Sequence, residues 1–234
     1  MLIASPAHGR SGVASHHTLL PHIFLLDHDM TTAIQNIIDA RTSINHFQPD
    51  RPLEDGVIAS LISLATKAPS AYNMQNWRFI AVQSEAAKRR LRAAAFEQQK
   101  IMDASVAFIV CGTLAAHSQL AATLQPSVKH GIMAQQVVDG WVSLASTAHE
   151  GNVLLQRDEA IRSASLAAMT LMLSAQGMGL GSCAMSGFDA VQVARAFELS
   201  TSELPVMIVA VGYPATKNWP QKPRKALSEV LSIV

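Results

Sequence analysis

The chain has 234 residues, enough for one well-filled core, with 49% of them apolar and a formal net charge of +1. So even a charge balance does not suggest the basic stripe of a nucleic-acid binder, and no apolar run reaches the ~18 residues that a bilayer span needs. Cys111 and Cys183 lie in separate apolar segments, which excludes a disulfide scaffold and fits buried, reduced thiols in a cytoplasmic protein.

Residues 1–29 differ in composition from the rest. His8, His16, His17, His22 and His28 stand among Ser, Ala and Gly without regular ligand spacing and without cysteine, so no metal site is expected. The apolar patch at 23–26 is short for a secretory signal and is followed by Asp27, with no small-residue cleavage site. Met30 opens a more ordinary sequence. Residues 1–29 are therefore expected to be an extra N-terminal arm, disordered or not native, ahead of a single domain over 30–234.

From Thr32, Ile34, Ile37 and Ile38 recur at helical spacing and deliver the chain to Arg41-Thr42-Ser43-Ile44-Asn45. A cation and a hydroxyl close together near a helix end suit a phosphate or a carboxylate, and equally a solvated cap. Asp50 and Pro52 introduce a second helix with Val57, Leu61, Ile62, Leu64 and Ala65 on its inner side. Pro69 ends it, because its ring removes a donor and disfavours helical geometry at Ala68. Residues 77–82 then read as a strand. Ser70, Asn73 and Gln75 sit on the connection, where amides can both donate to and accept from a flat heteroaromatic ligand. A capped turn is the plainer account of the same residues.

Ser84 caps a basic helix whose Lys88, Arg89, Arg90 and Arg92 read as a solvated face. The apolar run at 105–111 is typical of a strand covered on both sides. Residues 112–151, with a helix from about Gly131 to Ala148, are the candidate substrate lid, and His117, His130 and His149 read as structural or exposed. Residues 163–176 form a helix that is apolar nearly all round, which needs cover on every side and suggests a partner subunit. Gly177, Gly179 and Gly181 follow that helix instead of opening one, so they read as a left-handed cap and turn and not as a dinucleotide fingerprint. Gly187 permits close approach of backbone to a ligand, and Asp189 can cap a helix carrying Val191, Val193 and Phe197. A buried strand at 205–211 leads through Gly212-Tyr213-Pro214 to Lys222-Pro223-Arg224-Lys225 and a last apolar segment, 227–234.

Four separated pieces occur together and in order: Arg41-Thr42-Ser43, Ala68-Pro69-Ser70 through Asn73 and Gln75, Gly179 through Gly187-Phe188-Asp189, and Gly212-Tyr213-Pro214 before Lys222 and Arg224. From about Met30 to its end the sequence resembles the FMN-dependent nitroreductase family. The resemblance implies an α+β fold, a central, mostly antiparallel sheet flanked by helices. It also implies an intertwined homodimer with FMN at the interface and exchange of a C-terminal strand. By position, Arg41, Thr42 and Ser43 correspond to phosphate and ribityl ligands, and Lys222 and Arg224 close on the same phosphate. Pro69 and Ser70 lie where the family reaches the flavin from the neighbouring subunit. Asn73 and Gln75 would face the pyrimidine side or the ribityl chain, and Met185, Ser186 and Gly187 the flavin edge near N5. Many relatives carry Arg or Lys at the position of Asn45 and Glu at that of Ser186, so one cation and one side-chain role are in doubt. The implied activity is hydride transfer from NAD(P)H to flavin N5 and on to a nitroaromatic, quinone or similar small electrophile in a ping-pong cycle. A semialdehyde reductase, a flavin-processing enzyme and a flavin carrier or sensor are the alternatives. No protein residue is assigned as catalytic, because the chemistry belongs to the cofactor.

Overall fold

The computed structural model describes the backbone of residues 23–234 and the side chains from residue 32 onward. Its contacts divide the chain into two units, Met1–Asn36 and Ile37–Val234. The helix α1 (Ile23–Ala40) runs through residue 30, where the arm was expected to give way to the domain, and the remainder of that arm lies outside the described residues.

Four strands form one antiparallel sheet in the order β1-β2-β4-β3: β1 (Trp77–Val82), β2 (Val106–Thr113), β4 (Glu203–Gly212) and β3 (Gly181–Met185). The register places Phe79 opposite Val110, Ile109 opposite Ile208 and Cys183 opposite Ala210. Side chains alternate across a strand, and β2 is buried on both faces. Its Val106, Phe108 and Val110 pack with Leu61 and Ala65 of α2 (Asp55–Ala65) and with Ala164, Ala168 and Leu171 of α7 (Val153–Gly177). Its Ala107, Ile109 and Cys111 face Leu91 of α3 (Glu85–Ala94), Ile101 of α4 (Lys100–Asp103) and Val193 of α8 (Ala190–Ala196). That double cover is why 105–111 is apolar without alternation, and burial pushes the Cys111 thiol up to about 12.

A third cluster joins Leu120 and Leu124 of α5 (Leu120–Lys129) to Val138 and Ala145 of α6 (Gln135–His149), with Met74 of the turn before β1. Gly131, at φ +68°, ends α5, so the helix expected from about Gly131 begins only at Gln135. His117 and His149 are buried and stacked, ring centres 5.6 Å apart, at the joint between α6 and the turn after β2, which fits the structural reading.

The long helix α7 also begins well before 163, because the Asn152 side chain accepts from the Leu155 amide and caps it. The expected solvated face of α3 needs correction at one residue. Lys88 is buried, donating its ammonium to the carbonyls of Ala104 and Met102, and desolvation pulls its pKa down. The left-handed cap after α7 is present at Gly179 (φ +73°), and Asp189 caps α8 by accepting from the amides of Val191 and Gln192. Residues 214–226 have no helix or strand beyond a bridge at Pro214, and Leu227–Val230 make a single helical turn, α9.

Candidate functional site

Where α1 stops, the chain leaves helix at Arg41 and lies against β3. Ser43 bridges Ser182, and the Ile44 amide donates to the Ser182 carbonyl at 3.0 Å. The approach requires glycine on the strand: a Cβ on Gly181 would stand 2.6 Å from Ile44 Cγ1. From the other end of the chain, the irregular tail returns to the same place. Arg41, Thr42, Ser43, Pro220, Gln221, Lys222 and Arg224 line a cavity of about 110 Å³. Three cations and two hydroxyls therefore converge from segments that are 180 residues apart at Arg41 and Gln221. Gln221 Nε2 donates to the Arg41 carbonyl at 3.3 Å, while its Oε1 accepts from Arg224 Nη2 at 3.0 Å. The Lys222 ammonium lies 4.9 Å from the ring centre of Trp219. None of the three cations is paired with a carboxylate among the described residues, so the set suits an anion.

Next to this cradle the doubtful position 45 acquires a cation from elsewhere. Lys100 Nζ donates to Asn45 Oδ1 at 2.9 Å and lies 3.6 Å from Cys183 Sγ. A residue after the end of the β3 ladder is tied to the same link: Gln98 Nε2 donates to the Gly187 carbonyl at 2.7 Å. Sequence reasoning missed Lys100 and Gln98. The available signal was the polar run Gln98-Gln99-Lys100 wedged between a basic helix and a buried strand. Met185 closes β3 and is buried, whereas Ser186 and Gly187 follow it with their strand pairing ended.

The Pro69–Gln75 turn does not line the cradle cavity within one chain. It is held by its own residues: the Gln75 amide donates to Ser70 Oγ at 2.9 Å and the Asn73 amide to the Ser70 carbonyl at 3.0 Å. Tyr72, Asn73 and Gln75 all adopt left-handed backbone, φ 51°, 56° and 50°. Met74 is buried below, Tyr72 meets Trp141 of α6 edge to face at 6.0 Å, and Oδ1 of the neighbouring buried Asn76 has no partner. A second and larger cavity, about 490 Å³, lies between Arg51, Lys88 and the carboxylates of Asp50, Glu85 and Asp103. It contains no residue expected at the site, and its opposed charges favour no one ligand class.

Comparison with known proteins bears on this geometry. The Nitroreductase family model matches residues 38–213. The Bacillus subtilis (strain 168) protein named "Putative NAD(P)H nitroreductase YodC" is 31% identical over 195 residues, covering 83% of this chain and 96% of its own length. The crystal structure of the "putative nitroreductase ydfN" from Bacillus subtilis superposes with a TM-score of 0.82 at 30% identity, over 87% of this chain and all (100%) of that one. Another, a "putative nitroreductase in complex with FMN" from Exiguobacterium sibiricum 255-15, gives a TM-score of 0.80 at 26% identity, over 86% of this chain and 97% of that one.

Proposed function

This chain belongs to the nitroreductase family, and we propose that it is an FMN-dependent oxidoreductase that draws on NAD(P)H and reduces a small electrophile such as a nitroaromatic or a quinone. The observation that carries the cofactor reading is the cradle: Arg41, Lys222 and Arg224 with the hydroxyls of Thr42 and Ser43 around one small cavity. A flavin mononucleotide phosphate carries close to two negative charges and calls for charge-assisted donors of this kind. Bound FMN would supply a ping-pong relay, accepting a hydride at N5 from NAD(P)H and returning it to the acceptor.

The chain's own part is to bind and orient. Arg41 and Arg224 would hold the phosphate, Lys222 would add charge, and Ser43 and Thr42 would offer hydroxyls to the phosphate and the ribityl chain. Lys100, held on Asn45, would bring a cation to the phosphate side where position 45 itself lacks one. Ser186 and Gly187 offer backbone N–H groups just past the end of β3, so the absence of Glu at Ser186 leaves that contact possible. Asn73 and Gln75 lie on a rigid turn with amides suited to the pyrimidine edge, and Ser70, next to Pro69, holds that turn.

The working form is a homodimer in this reading. Leu166 and Met169 of α7 and Leu227, Leu231 and Ile233 of the tail are exposed apolar groups that a second copy would cover. Two copies by sedimentation, fewer when residues 227–234 are removed, would support the exchanged tail. The functional test is an absorbance spectrum of protein given FMN, followed by NADH and then NADPH without air. Flavin bands near ~450 nm that bleach, and return on adding a nitroaromatic or quinone, support the assignment. Flavin that stays oxidised makes the chain a carrier, and no bound flavin ends the cofactor reading.

A further inference from the structure

We propose that Asn218 is a positioning residue for the phosphate subsite, clasping together the two chain segments whose cations form the cradle. The inference rests on the FMN reading above and concerns a residue outside the cavity lining.

Within one chain, the tail that carries Lys222 and Arg224 has little else to hold it. From residue 216 to 225 it contains no helix, no strand and no backbone–backbone hydrogen bond among the described residues. Backbone pairing ends with the Ala215 amide on the His46 carbonyl at 2.9 Å. Asn218 then continues the attachment through its side chain. Its Oδ1 accepts from the Asn45 amide at 2.8 Å and from the His46 amide at 3.0 Å. Its Nδ2 donates to the His46 carbonyl at 2.8 Å and to the Ala215 carbonyl at 2.9 Å. A carboxamide has two donors and two acceptor sites, and here all four are used, three of them across 172 or 173 residues of sequence. Gln221 repeats the link further along, between the Arg41 carbonyl and the Arg224 guanidinium.

The physical need for a clasp follows from the charges. Arg41, Lys222 and Arg224 repel one another around a cavity of about 110 Å³, and an untethered tail would swing its two cations into water. Holding them in place before the anion arrives removes an ordering cost from binding. The effect should fall on the phosphate and not on the rest of the flavin. It also reaches Lys100, since Asn218 fixes the backbone of Asn45, on which Lys100 rests.

That selectivity provides the test. FMN and riboflavin differ only by the phosphate, so their dissociation constants are measured by flavin fluorescence for full-length wild type, Asn218→Ala and Asn218→Ser. Asn218→Ala is expected to weaken FMN roughly tenfold and leave riboflavin unchanged, so the ratio of the two affinities falls. Asn218→Ser, which keeps a polar group but cannot make all four bonds, is expected to move the ratio the same way by a few-fold, and it carries the test if Asn218→Ala does not fold. Parallel losses for both flavins, or an unchanged ratio beside a wild type that holds FMN, overturn the clasp. A wild type that holds neither flavin overturns the cofactor reading itself.

Discussion

The turn at 69–75 and the cradle at 41–45 and 218–224 present polar groups in opposite ways. The turn is fixed mainly by its own residues and the packing around them: Ser70 closes the hydrogen bonds, Met74 anchors the core side, Tyr72 meets Trp141 of α6, and three residues that are not glycine accept left-handed backbone. Such backbone costs on the order of 1 kcal/mol per residue, so the turn persists only because its surroundings over-determine it. In the cradle, no strained backbone angle is needed and no regular element spans its two halves. Amide side chains hold it, and like charges push against them. A site held by strained backbone fails together with the local fold, whereas a site held by side-chain bonds can lose its ligand and leave the fold intact.

The largest expected effect breaks the cradle alone. Arg41→Ala combined with Arg224→Ala removes two charge-assisted donors and should weaken FMN by roughly a hundredfold or more, with the melting temperature of the cofactor-free protein within about 1 °C of wild type. Unchanged FMN retention on gel filtration would remove both residues from the phosphate role. A smaller effect addresses the turn. Ser70→Ala deprives the Gln75 amide of its acceptor and should cost up to about 1 kcal/mol, a fall of roughly 2–4 °C on melting. The ratio of FMN to riboflavin affinity should not move in this variant. If it falls as it does for Asn218→Ala, the two regions are not separable and the comparison collapses.

How much of this could be read beforehand follows the same division. The double-covered strand at 106–111 is plain in its unbroken apolar run, and the turn is plain in Pro69, Ser70, Asn73 and Gln75, because both depend on neighbours in sequence. The front of α7 is hidden by Arg157, Asp158, Glu159 and Arg162, whose polarity breaks the apolar pattern although Asn152 caps the helix there. Lys88 looks like Arg89 and Arg90 beside it. Only the placement of two carbonyls at the end of α4 makes it a buried donor. Arg41-Thr42-Ser43 and Lys222 with Arg224 could be joined only through resemblance to a family, since nothing local says that they meet. Asn218 leaves no signal at all, because its partners are backbone atoms that carry no residue identity.

The smallest effect asks whether the turn borrows stability from the sheet it leads into. Arg78, the second residue of β1, pairs with Glu203 at the start of β4, reaching past β2 between them. Burial alone would raise the Glu203 carboxyl, but the bonds from Arg78 and from the Ser200 amide outweigh it and hold it below the usual carboxylate range. A carboxyl whose folded pKa is depressed stabilises the fold above its unfolded pKa, and that contribution is lost as pH falls through the folded pKa. Arg78 is half exposed, so solvent screening limits the pair to at most about 1 kcal/mol. Arg78→Met should therefore lower the melting temperature by roughly 1–3 °C near pH 7, with the gap from wild type closing once Glu203 is protonated in both proteins. A gap that is constant down to about pH 3 would assign the loss to packing of the long side chain instead of charge. In either case FMN affinity should hold steady in Arg78→Met, because β1 supports the turn through its backbone register with β2, Trp77 opposite Gly112, and that register does not need the ion pair.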